Sequence, residues 1–195
     1  MFPKALAEGL FGRAAKVLAA FGIPRAIPRK YMLPKLLKTD SDYALTISRL
    51  VLGILFFIHG GQLMLGWFGG YGLTGSMQFF TQQLGIPAAF AFLAICAQFF
   101  GGLMLILGFA GRIAALGIIC DMAVAVVKVH WQFGLFMNWF GNQKGEGFEY
   151  HLLAIAIGLL IALRGSGALS LDRLLARSRA SFPAQMRELA HPVRT

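Results

Sequence analysis

Residues 87–107 read PAAFAFLAICAQFFGGLMLIL, without one Asp, Glu, Lys, Arg or His. As a helix rising about 1.5 Å per residue, this run is about 30 Å long, the thickness of a bilayer's hydrocarbon core. Working outward, segments of the same character run from about residue 43 to 65, from 113 to 131 and from 148 to 163. The expected fold is an all-α membrane protein, a four-helix transmembrane bundle. Composition agrees. Hydrophobic residues make up 57% of the chain and charged residues 13%, against roughly a quarter charged in a soluble domain. An ordinary soluble enzyme, a disordered chain and a collagen-like fibre are excluded. The length of 195 residues suits one domain.

The net charge is +10, and its placement decides what it means. Residues 1–42 hold eight Lys/Arg against three Asp/Glu, residues 43–167 hold five against three, and residues 168–195 hold five against two. The excess flanks the apolar block and carries no recognition motif, so the expected partner is anionic lipid and not nucleic acid. The link from about Gly66 to Ile86 has no Lys or Arg, the tight link near Arg112 has that one, and Lys128 and Lys144 lie near the last link. One side collects fifteen basic residues and the other two, with Arg49 inside the first segment. The expected topology is a multi-pass protein of the bacterial inner membrane with both termini cytoplasmic.

Three regions follow: a basic flank at 1–42, a membrane domain at 43–170 and a basic cytosolic tail at 171–195. In the flank, Leu6, Leu10, Ala14, Val17, Leu18 and Phe21 recur at helical spacing, with Lys4, Arg13 and Lys16 off that stripe. An amphipathic interfacial helix is expected there, ended by Pro24, Pro28 and Pro34. No signal peptide is read in these residues. The tail repeats the pattern, with Leu171, Leu174 and Leu175 beside Arg173, Arg177 and Arg179. Cys96 and Cys120 lie in apolar runs without a C-x-x-C spacing and read as small hydrophobes.

Ionisable side chains are costly inside a bilayer, so each one there is a functional hypothesis. Arg49, Asp121 and Lys128 are the intramembrane charges, and Arg112 marks the turn between the second and third segments. His59, Gln62, His130, Glu149 and His151 converge on the outer level. Glu149 and His151 are about 200° apart on a regular helix and cannot both face the bundle. Asp121 and Lys128 share a face, whereas His130, nine residues past Asp121, points oppositely unless the helix ends first. It is expected to end there, before the interfacial Trp131 and Phe133. No His pair has the i,i+4 spacing of a helical zinc site, so neither a metal nor a haem is expected. Hydrogen bonding to a quinone head group suits the cluster better, since it needs His or Gln partners, a proton-exchanging group and an apolar slot. Gly-rich Gly66–Gly72, with Trp67 and Tyr71, reads as either a lid or an interfacial loop. Ala97-x3-Gly101 and Gly101-Gly102, beside Gln98, permit close helix approach.

Taken in order, Arg49-x3-Gly53, His59-Gly60, Gly66-Trp-Phe-Gly-Gly70, Gly85-Ile-Pro87, Gly101-Gly102, Leu107-Gly108, Arg112-x-Ala114-Ala115, Met122, His130, Glu149-Tyr150, Gly165-x-Gly167 and Ser170-Leu171-Asp172 form a series. With these motifs the chain resembles the DoxX family of small four-span bacterial membrane proteins, over about residues 43–175. Gln62 stands where the family often has a basic residue, and Gln98 where it often has an acidic one. The resemblance implies a membrane subunit of a quinone-linked oxidoreductase system, or a membrane partner of soluble redox and stress-defence enzymes. On the first view His59, His130 and Glu149 hold and protonate a quinone head, with Gln62, Gln98, Trp67 and His151 as further contacts. On the second the chain is a scaffold that docks protein partners through its flank, tail or outer loops. A homo-oligomer is compatible with both. A third reading, a proton or small-solute permease, rests on the Arg49–Asp121–Lys128 series.

Overall fold

A computed structural model of the chain describes residues 41–177. They fall within Leu36–Thr195, one of the two units into which the chain divides. The expected amphipathic helix in the 1–42 flank and the tail beyond 177 lie outside the described residues.

Helix α1 runs Tyr43–Leu65. Asp42 opens it by accepting from Ala44 N at 2.8 Å, and Gly66 closes it at φ +74°, the left-handed turn that glycine adopts without steric cost. A 3₁₀ turn at Trp67–Gly69 leads to α2, Gly72–Gln78, which runs on through a π-turn at Phe79–Gln83. Helix α3 is Ala88–Leu107 and α4 is Gly111–Ala125. A π-turn at Val126–His130 and a 3₁₀ turn at Trp131–Phe133 extend α4. After an irregular loop comes α5, Glu149–Arg164, and then a helical stretch at 171–177. No strand occurs among the described residues.

Four long helices pack in a ring, α1 against α3, α3 against α4, α4 against α5, and α5 back on α1. Leu45, Leu52 and Phe56 of α1 meet Leu105, Ile118, Met122, Ala154 and Ile161 in the core. The outside is apolar too: Ile47, Phe92, Leu116, Val124 and Leu153 are exposed. A bundle greasy within and without belongs in lipid. Three stretches are long and apolar enough to cross a membrane: Tyr43–Leu65, Ala88–Leu107 and Gly111–Phe133. Helix α5, 16 residues long, is shorter than these.

The α1–α3 contact is made by glycine, as the sequence suggests for Gly102. A Cβ on Gly102 would lie 2.4 Å from Phe57 N, and one on Gly60 2.3 Å from Phe99 N. In lipid, where apolar side chains gain little by leaving the solvent, such backbone approach replaces the hydrophobic effect as the packing force.

At one end the chain ties itself shut. Arg49 is 1% exposed. Its guanidinium donates to the carbonyls of Leu105, Ile106 (2.9 Å) and Leu169 (2.6 Å). It does not reach the inner surface as an exposed group, nor does it pair with Asp121. Arg112 donates to Ala162 O at 2.6 Å and Leu163 O at 2.8 Å. Asp172 accepts from Ala110 N (2.7 Å), Gly111 N (3.1 Å) and Ser166 Oγ (2.6 Å). Cations thus sit on the carbonyl ends of α3 and α5, and an anion on the amide end of α4, the signs the helix dipoles favour. Thr46 Oγ1 accepts from Ala168 N at 2.9 Å, drawing the segment after α5 onto α1. Residues Ser170 and Asp172 therefore belong to the bundle's own packing.

Candidate functional site

The polar residues away from that knot fall into three groups. The first lies halfway along the bundle. Gln98 is the eleventh residue of α3, and Asp121 the eleventh of α4. Gln98 Nε2 donates to Asp121 Oδ2 at 2.7 Å. The pair faces a groove of about 720 Å³ between α3 and α4. Its walls are apolar, with Leu93, Ala97, Gly117 and Val124 among them, and Phe79, Phe80 and Leu84–Pro87 roof its other end. Phe90, Leu93, Cys120 and Val124 on the rim are exposed, so the groove opens sideways from the bundle. Volume and lining match small-molecule sites, which are mostly apolar with a few placed polar groups. Lys128 and His130 line the same groove.

A regular helix would point His130 away from Asp121. The π-turn at Val126–His130 removes that conflict. Its wider turn advances each residue by less than 100°, so His130 swings back onto the Asp121 face. The regular α-helix does end before His130, as expected, but it ends in a π-turn, and the consequence is a shared groove.

The second group surrounds His130. Its Nδ1 donates to Glu146 O at 2.7 Å; a carbonyl only accepts, so Nδ1 carries a proton, and in the neutral ring Nε2 is an acceptor. The His151 ring centre is 4.1 Å from that of His130. His151 is 7% exposed, and its Nδ1 is buried without a hydrogen-bond partner. Two imidazoles sharing a metal at about 2.1 Å would hold their ring centres about 5 Å apart or more, so these rings, tilted at 44°, pack against each other instead of converging on one ion. No group of three metal-ligating side chains occurs among the described residues.

Glu149 turns the other way, as the 200° argument requires. Its Oε1 accepts from Met137 N (3.2 Å) and Trp139 Nε1 (3.0 Å). Glu146 Oε2 accepts from Asn138 N at 2.7 Å. Two carboxylates thus staple the 134–148 loop, leaving Phe136, Trp139 and Phe140 exposed.

The third group lies on α1. His59 is exposed, and its Nδ1 bonds the carbonyl of Leu55 in its own helix at 3.1 Å. Trp67 packs on Phe57 and Phe99, with ring centres 5.5 and 6.0 Å away. Gly70 lies on the Gln62 backbone, where a Cβ would be 2.4 Å from Gln62 O. Gly66–Gly70 is therefore folded onto α1 and α3, and the segment that roofs the groove is the later one, 79–87. Among the described residues, no hydrogen bond or ring contact joins His59 to His130, Glu149 or His151. Nor do Arg49, Asp121 and Lys128 form a series, since Arg49 is spent on carbonyls at the closed end.

The sequence reading placed the site at His59, His130 and Glu149. It listed Gln98 and Asp121 separately and missed the groove that unites them. A signal was present. The α3–α4 turn centres on residue 109, and Gln98 and Asp121 lie 11 and 12 positions to either side of it along antiparallel helices.

An apolar-surfaced helical bundle with three stretches long enough to cross a bilayer defines an integral membrane protein. The chain belongs to the DoxX family, whose model matches residues 44–131. It is 31% identical to Putative oxidoreductase CatD of Bacillus subtilis (strain 168) over 126 residues, 65% of this chain and 82% of that one. It is 30% identical to Inner membrane protein YqjF of Escherichia coli (strain K12) over 140 residues, 71% of this chain and 97% of that one. No solved structure matches.

Proposed function

We propose that the chain is an integral subunit of a quinone-linked oxidoreductase system in the bacterial inner membrane. The observation that carries this reading is the Gln98–Asp121 hydrogen bond on the wall of an apolar groove that opens sideways. An isoprenoid quinone lives among lipid tails and would enter such a groove laterally. A bound quinone would supply two-electron, two-proton carrier chemistry. The residues that fit it are Gln98 and Asp121 at mid-height and His130 with Lys128 at the roofed end. Asp121 and His130 would be the residues able to exchange protons with such a ligand's oxygens, and the apolar walls would keep water from its ring. His59 and Glu149, also expected at the head group, are outside the groove; they serve α1 and the stapled loop.

The bundle crosses the membrane four times, α5 being the fourth crossing, with both termini cytoplasmic. Fifteen Lys/Arg on one side against two on the other support that orientation. The knot of Arg49, Arg112 and Asp172 is then at the inner end, and the aromatic 134–148 loop at the outer. The match to a protein named as an oxidoreductase supports the redox reading.

The test is a purification in mild detergent from the native membrane, followed by mass spectrometry of an organic extract. Stoichiometric quinone, lost from Gln98→Leu and Asp121→Leu, is the expected result. A folded wild-type protein without quinone overturns the reading. One observation favours a second reading, a scaffold for soluble redox enzymes: the 134–148 loop is held by two carboxylates yet leaves Phe136, Trp139 and Phe140 exposed. A partner that co-purifies with quinone-free protein, and is lost on Trp139→Ser with Phe140→Ser, would favour it.

A further inference from the structure

The groove has two polar poles, and each holds an open acceptor, with the second Nε2 hydrogen of Gln98 and the Lys128 ammonium as donors in the same lining. At mid-height, Gln98 Nε2 occupies Asp121 Oδ2 and leaves Oδ1 as an acceptor. At the roofed end, the carbonyl of Glu146 takes the Nδ1 proton of His130 and leaves Nε2 as an acceptor. The poles are nine residues apart, about 12 Å along α4 and its π-turn. A benzenoid ring with two para oxygens is about 5 Å across those oxygens. A hydrogen bond of about 2.8 Å at each end brings the span to about 11 Å.

An oxidised quinone offers two carbonyl acceptors to these poles, and a hydroquinone offers two O–H donors. Resting on the quinone reading above, we propose that the groove selects the reduced para-dihydroxy form, its hydroxyls donating to Asp121 Oδ1 and His130 Nε2. His151, packed at a tilt against His130, is a positioning residue. With Glu146 it fixes the ring that presents Nε2. Lys128, on the rim of the groove, is a donor that works against the selection, and its exposure lets it turn toward headgroups.

The experiment measures binding of three probes to wild-type protein in nanodiscs under anaerobic conditions: decylubiquinol, decylubiquinone and the monomethyl ether of decylubiquinol. Losing one donor to a fixed acceptor costs about tenfold. The quinol is therefore expected to bind at least tenfold tighter than the quinone, with the ether between them. His130→Phe keeps a ring against His151 but has no acceptor, so it should reduce the quinol's advantage over the quinone about tenfold. Deleting Val127, which turns the π-turn into regular helix and rotates His130 away, should do the same. Equal or tighter binding of the quinone by wild type overturns the selection while leaving the quinone-linked reading intact. So does a His130→Phe variant with the wild-type preference. Binding of none of the probes overturns both. The wild-type comparison needs no variant to fold.

Discussion

The closed end of the bundle and the α3–α4 groove both bury charge, and they treat it differently. At the closed end Arg49 meets three carbonyls, and Asp172 meets two amides and a hydroxyl. Each charge there completes a helix terminus. In the groove Asp121 has one neutral amide as partner, and His151, packed on the groove residue His130, has a buried ring nitrogen with none. The difference teaches how to read intramembrane charge. A charge held by several groups at helix ends is architecture, even though Arg49 Nε has no partner, and a charge with a single neutral partner beside a cavity is available to a ligand.

That contrast is open to attack by mutation. The largest expected effect is Arg49→Ala, which strands three carbonyls and should lower stability by about 3 kcal/mol or more. Thermal unfolding in detergent checks it, and a wild-type transition would refute the architectural role. Asp172→Ala removes a buried cap and should cost about 2 kcal/mol in the same assay, with Asp172→Asn recovering roughly half. The stapling carboxylate comes next. Glu149→Leu should cost about 1 kcal/mol, localised to the loop and read as faster proteolysis between residues 134 and 148. Smallest, and opposite in sign, is the double change Gln98→Leu with Asp121→Leu. It replaces a buried polar pair by apolar side chains and should leave stability unchanged or raise it by up to about 1 kcal/mol, while bound quinone disappears. A double variant as unstable as Arg49→Ala would erase the distinction between the two regions.

The bundle was legible because a membrane imposes its thickness on sequence. The run at 87–107 needs no tertiary information to be read as a span. Helix angles were legible also, since Glu149 and His151 do part as their spacing demands. The groove was less so. It needs Gln98 and Asp121 at equal heights, which the short turn at 108–110 implies, and it needs His130 rotated onto their face, which depends on a π-turn that no residue in VVKVH announces. Arg49 illustrates the opposite difficulty. Alone in an apolar segment, it suggests an ion path or a snorkelling side chain. Its true partners are backbone carbonyls of residues 105, 106 and 169, and backbone acceptors carry no sequence signature. His59 lies toward the end of α1 away from Arg49, as its position in the sequence implies, but depth says nothing of which helix neighbours it across the ring.

The cap that Asp172 places on α4 also has a history in time. The amides of Ala110 and Gly111 wait for a carboxylate 62 and 61 positions further along the chain. During synthesis the α3–α4 hairpin therefore enters the bilayer with the start of α4 unfinished. The carbonyl that Leu169 offers to Arg49 arrives equally late. The ring can close only when translation has passed this segment, so the last part of the bundle to be made is the fastener for the first.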